Sequence, residues 1–230
     1  MSKPENYSKN VFINCPFDDE YFELLRPLLF VIVYFDFNPR ISLESSDSGF
    51  IRLEKIITLI KESQFAIHDL SRLQANSIDE YYRLNMPFEL GIDYGLRKFD
   101  STFEDKRSLI LETKKYDYMK AISDINGFDI KNHDDNPVQL IGTIRAWFAE
   151  TVGLRGLKAS SKIYTDLIEF NKFIFIERMK KYYPEYNSTD AEKFANSEIE
   201  ELTIPEFIDE VRDFKQRSVT QHYDRITPTS

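Results

Sequence analysis

Cysteine is almost missing: Cys15 is the only one in 230 residues. One thiol makes no internal disulfide and no cysteine-rich zinc site. Glycine is scarce, at seven residues, and none falls in a glycine-rich phosphate loop of either standard type. That argues against ATP hydrolysis and Rossmann-type hydride transfer. The three histidines, at 68, 133 and 222, lack the spacing of a metal site, so no metal is expected. Positive charge is in deficit: 30 Lys and Arg against 39 Asp and Glu leave a net charge of -9. Such a chain does not attract phosphate backbones overall, which makes nucleic acid an unlikely partner. The most apolar run, Leu24 to Phe37, is broken by Arg26 and Pro27 and is too short to span a bilayer. With no signal-peptide pattern at the start, a cytoplasmic protein without membrane contact is expected.

Apolar residues, by contrast, make up 42% of the chain, and 19 Phe and 13 Tyr supply bulk for a packed core. Short β-rich runs alternate with helical patterns. Val11–Cys15, Pro39–Leu43, Phe65–Leu70 and Arg107–Leu111 read as buried strands, and Phe128–Ile130 as a fifth, minor one. Between them, helices are expected from Asp18 to Phe35, Ile51 to Glu62 and Pro87 to Lys98. A short one follows over Tyr116–Ser123, and the last over Val138–Thr151. Gln74 to Leu84 reads as a loop or short helix. This alternation predicts an α/β fold, a doubly wound parallel sheet of about five strands. Beyond it, Lys162–Tyr182, Asp190–Glu200 and Pro205–Gln216 read as helices of a C-terminal appendage. The expected organisation is an α/β domain over 1–155, a helical appendage over 156–217 and a polar, frayed tail over 218–230.

Ligands of such sheets bind beyond the carboxyl ends of the strands, near the topological switch point. That rule selects Asn14 to Asp18, Leu43 to Asp47, His68 to Arg72 and the start of the Pro87 helix. Asp69 and Ser71 stand at a strand end, with His68 and Arg72 beside them. Glu89 is expected in the first helical turn, where the helix dipole keeps a carboxylate ionised. A carboxylate there can stabilise, or attack, the sugar carbon of a breaking N-glycosidic bond, and a second one can orient sugar hydroxyls or handle a proton. Each residue also has a plainer reading. Acids are common in first helical turns, Asp69 and Ser71 can cap a helix, and His68 can be a satisfied core residue. Arg40, Glu44 and Arg52 can clamp a phosphate, or Arg40 and Glu44 can simply pair with each other. Asn14 and Phe17 follow the first strand and can line a pocket, Phe17 stacking a base. Cys15 reads as a small apolar filler rather than a nucleophile.

Three segments carry a resemblance: Val11-Phe12-Ile13-Asn14, Phe65-Ala66-Ile67-His68-Asp69-Leu70-Ser71 and Asn85-Met86-Pro87-Phe88-Glu89-Leu90-Gly91. Together they resemble the superfamily of Toll/interleukin-1 receptor (TIR)-like domains and nucleoside 2-deoxyribosyltransferases. There an acidic strand end is followed by a helix bearing glutamate, a hydrophobic residue and glycine. The resemblance implies a flavodoxin/TIR-like sheet, with Glu89 as catalytic residue and Asp69 as its strand-end partner; Asp69 and Ser71 are then expected to complete the catalytic set by orienting the ribose, and Asn85 to contact substrate. It implies NAD or another nucleotide as substrate or ligand, no further cofactor, and assembly with copies of itself or a partner protein. Many TIR-like members serve bacterial anti-phage defence. Residues 10–147 are also similar to an uncharacterised bacterial family with Asn-Cys-Pro-Phe-Asp, Ile-His-Asp-Leu-Ser-Arg and Asn-Met-Pro-x-Glu-Leu-Gly motifs. Two departures stand out. Deoxyribosyltransferases carry an aspartate and a small residue shortly before the glutamate, where this chain has Asn85, Met86 and Pro87. The C-terminal helices have no counterpart in either group.

Overall fold

A computed structural model describes residues 3–73 and 84–226, with side chains to residue 217. The expected loop or short helix over Gln74 to Leu84 therefore lies outside the described residues, Leu84 excepted. Five parallel strands form one sheet: β1 (Asn10–Asn14), β2 (Asn38–Ile41), β3 (Phe65–Asp69), β4 (Arg107–Glu112) and β5 (Lys131–Asn132). Their order is β2-β1-β3-β4-β5. Connections leave β1 in opposite directions, so the switch point lies between β1 and β3. β1 and β3 are buried along their whole length, as central strands covered on both faces must be.

Helices α1 (Asp19–Tyr34), α2 (Arg52–Lys61), α3 (Asn85–Phe99) and α4 (Pro137–Trp147) cover the sheet. Asp18 caps α1, its side chain accepting from the Tyr21 amide at 2.8 Å. Packing beneath α2 joins Ile56, Leu59 and Ile60 to Phe12 and Ala66, while Met86 and Leu90 of α3 join Leu70 and Ile110. Phe35, Phe37, Phe65, Trp147 and Phe148 form a second layer of tilted and edge-on rings. Each such buried side chain contributes about 1.5–3 kcal/mol.

Several boundaries differ from the sequence reading. β5 pairs through Lys131 and Asn132, not Phe128–Ile130: Gly127 takes a positive φ of 114° and opens a turn there. The segment expected as one short helix breaks into two 3₁₀ turns, Asp117–Lys120 and Ser123–Ile125. α4 ends at Trp147 and continues as a π-helical turn over Phe148–Val152. Most consequentially, α3 starts two residues before Pro87. Proline is still tolerated there because first-turn amides have no intrahelical partner.

The chain divides into two compact units, residues 1–160 and 161–230. In the second, α5 (Ser160–Tyr182), α6 (Ser188–Glu200) and α7 (Ile204–Ile226) pack through Phe170, Phe207 and Phe214. Arg178 bridges Glu198 and Glu210. Helical backbone runs to Ile226, through the stretch expected as a frayed tail from Ser218. No described helix is long and apolar enough to cross a membrane.

Candidate active site

The carboxyl end of β1 and the N-terminal parts of α2 and α3 converge on a cleft of about 410 Å³. Asn14, Cys15, Pro16 and Phe17 form one wall, Arg52 a second, and Leu84, Asn85, Met86 and Glu89 a third. This is the switch-point crevice that the sheet topology predicts. Five residues expected at the site meet here: Asn14, Phe17, Arg52, Asn85 and Glu89.

Among the described residues, Glu89 is the one acidic residue that lines the cleft. It is 8% exposed. Because α3 begins at Asn85, Glu89 lies past the first turn, which holds no acidic residue. The expected dipole stabilisation of its carboxylate is thus absent, since that effect fades within one turn. Burial instead pushes the Glu89 carboxyl up to about 7, with Arg52 pulling the other way. Near neutral pH, both its protonated and ionised forms are populated. The Arg52 guanidinium sits 5.9 Å from the centre of the Phe17 ring, a cation–π distance. Burial and the nearby Asp69 and Glu89 carboxylates push the Cys15 thiol well up, so this cleft residue is a thiol and a poor nucleophile.

The other expected residues sit elsewhere. Asp69 and Ser71, expected as catalytic, are buried away from the cleft lining. The Asp69 carboxylate accepts from the Tyr21 hydroxyl at 2.5 Å, the Ser71 amide at 2.9 Å and His133 Nε2 at 3.0 Å. Burial opposes its ionisation, but these hydrogen bonds outweigh burial and hold its pKa below the ordinary value. Ser71 Oγ meets the same His133 nitrogen at 3.1 Å. A nucleophilic triad needs serine and aspartate on opposite nitrogens of the ring, so this cluster is a buried anchor joining the end of β3 to the loop after β5. Arg40 pairs with Glu44 at 3.0 Å and Glu62 at 2.9 Å. That is the ion pair, not the phosphate clamp, and neither Arg40 nor Glu44 lines the cleft. Arg72 adopts a left-handed φ of 67° and reaches Asp18, Glu20 and Asp135 at 3.4–3.9 Å.

His68 is fully buried and does not line this cleft. Its Nε2 meets Asp93 at 3.1 Å, and its Nδ1 meets Asn14 Nδ2 at 3.0 Å. Asp93 also accepts from Ser108 at 2.8 Å and pairs with Lys106 at 3.0 Å. Its Oδ1 has no well-angled hydrogen bond, so the lysine contact there is an ion pair. Burial opposes ionisation of Asp93, but the His68 hydrogen bond and the Lys106 charge hold it well below the usual carboxylate range. The fully buried Lys106 ammonium donates to the carbonyls of Ile60 and Ser63 at the end of α2. Sequence reasoning missed Asp93, Lys106 and Tyr21. Asp93 was the most accessible of these, because it shares a helix face with Met86, Glu89 and Leu90 at helical spacing.

No family model matches the sequence, and the search of curated proteins gives no match either. Among the described residues, no group of three or more His, Cys, Asp and Glu is placed to hold a metal ion. A second depression, of about 380 Å³, lies in the helical unit. Carboxylates dominate its walls, and Arg178, its basic lining residue, is already engaged with Glu198 and Glu210.

Proposed function

We propose that this protein cleaves or transfers at an N-glycosidic bond of NAD or another nucleotide, with Glu89 as the catalytic residue. The observation that carries the reading is the place of Glu89, a carboxyl buried in the lining of the switch-point cleft, where burial raises its pKa to about 7. As the C1′–N bond breaks, its electron pair leaves with the base and positive charge grows on the sugar carbon. An ionised Glu89 stabilises that carbon or bonds to it; a protonated one donates to the leaving base. Water then supplies the oxygen that replaces nitrogen at carbon and releases a proton. Phe17 offers a face for the base and Arg52 a charge for phosphate. Asp69, Ser71 and His68 support the strand ends instead of touching substrate. The resemblance of the strand ends and the Glu89 helix supports the same reading, and with it a cytoplasmic defence effector; the C-terminal helices, which have no counterpart in that resemblance, are the surface proposed for assembly.

Chromatography with mass spectrometry on protein incubated with NAD and a panel of nucleotides and nucleosides tests this. Free nicotinamide or base is expected from wild type and not from Glu89→Gln. A second reading, nucleotide sensing without turnover, draws on the same cleft. It predicts a rise in melting temperature with an intact ligand.

A further inference from the structure

The buried polar network behind the cleft fixes which way one of its walls faces. Asn14 Nδ2 lies 2.8 Å from the Met86 carbonyl oxygen and 3.0 Å from His68 Nδ1. A carbonyl oxygen only accepts, so the atom facing it is the amide nitrogen; the reversed carboxamide would set two acceptors against each other. That nitrogen has two hydrogens, and the second points at His68 Nδ1, which must carry a lone pair. The ring proton is then on Nε2, facing Asp93 at 3.1 Å. Asp93 is ionised, held by Lys106 and Ser108, and so takes that proton's hydrogen bond. Each step follows from the one before, and none leaves the Asn14 nitrogen a hydrogen for a ligand. Asn14 nonetheless lines the cleft, and the capacity it has left is its carbonyl oxygen.

We propose that Asn14 is a specificity-determining residue that accepts a hydrogen bond from a ligand hydroxyl or N–H, and that the buried His68 and Asp93 are positioning residues that hold it in that orientation. This rests on the reading that the cleft takes a nucleoside moiety, and sharpens it. The ligand presents a donor at the carboxyl end of β1, and a group that only accepts is rejected there because it faces an unpaired oxygen.

Calorimetry on the full chain tests it. Adenosine, guanosine, cytidine and uridine are titrated first. For one that binds, the 2′- and 3′-deoxy analogues, the matching deoxyfluoro analogues and the base N-methyl analogues follow. Fluorine replaces a hydroxyl in size but cannot donate. Removing one particular donor should weaken binding about ten- to hundredfold, with fluorine failing to restore it at a hydroxyl position. In His68→Leu the preference for donor over its non-donating analogue should fall to near one. A merely structural role for His68 would instead weaken both analogues alike. Nitrogen-15 NMR of wild type, with His68 assigned by its loss in His68→Gln, should show Nδ1 unprotonated and Nε2 protonated. This measurement stands even if the leucine variant fails to fold. A protonated Nδ1, full rescue by fluorine, or equal affinity across the analogues overturns the inference alone. Failure of every nucleoside to bind overturns the nucleoside reading and this inference with it.

Discussion

At the scale of single residues, the chemistry concentrates on one carboxyl. Glu89 has a folded pKa of about 7 against an ordinary 4.5. Between those values the folded state holds a proton that the unfolded state has lost, so stability falls as pH rises through the window and is flat above it. A shift of that size corresponds to about 3 kcal/mol at most. Glu89→Gln removes the penalty. Its denaturation free energy should match wild type below about pH 4.5 and exceed it by on the order of 2–3 kcal/mol at pH 8, measured by chemical denaturation at both pH values. Equal stabilities at pH 8 would mean that the Glu89 carboxyl is not desolvated. Asp69 behaves in the opposite sense. Its folded pKa lies below the ordinary 3.8, so its contribution is complete above that value and is lost as pH falls through the folded one. Asp69→Asn should therefore be less stable than wild type at neutral pH and show a shallower acid limb in a pH series of thermal melts.

At the scale of elements, α2 and α3 each give the cleft one charged residue, Arg52 and Glu89, and Lys106 ties the two helices together behind it. Its ammonium caps carbonyls at the end of α2 and neutralises Asp93 of α3. Removing one partner of a buried pair strands the other charge, so Lys106→Met should cost about 3–5 kcal/mol. Asp93→Asn combined with Lys106→Met should cost less than the sum of the two single changes, because the stranded charge is then gone. Much of this scale was legible in the sequence. Val11–Ile13 and Phe65–Ile67 are continuous apolar runs, and such runs are what buried parallel strands require. Glu89 itself was legible as a candidate; its electrostatic state was not. Pro87 suggested a helix start that would have placed Glu89 in the first turn, whereas the helix begins at Asn85 and carries the carboxyl beyond reach of the dipole. Arg40 and Glu44 are four apart around the end of β2, so spacing alone left both a clamp and an ion pair open. Glu62, which completes that pair, arrives from a distant part of the chain. The Asn14–His68–Asp93 arrangement joins β1, β3 and α3, and no local pattern announces a contact of that range.

At the scale of the whole molecule, residues 1–160 contain the five strands and every described residue lining the switch-point cleft, while 161–230 form a separate compact unit. A chain ending at residue 160 should keep a cooperative thermal transition, because the sheet core lies within it. Size-exclusion chromatography with light scattering on both lengths then reads the role proposed for the helices. A full chain that associates and a shortened one that does not would assign assembly to the helical unit; unchanged association would assign it to the α/β unit.

The central claim is that Glu89 breaks an N-glycosidic bond in the cleft at the β1–β3 switch point. The most direct test is incubation of wild type and Glu89→Gln with NAD and the nucleotide and nucleoside panel, with products separated and weighed by mass spectrometry. The account predicts free nicotinamide or free base from wild type and none from a folded Glu89→Gln. Equal release by both proteins would contradict it, and so would substrates left intact by wild type.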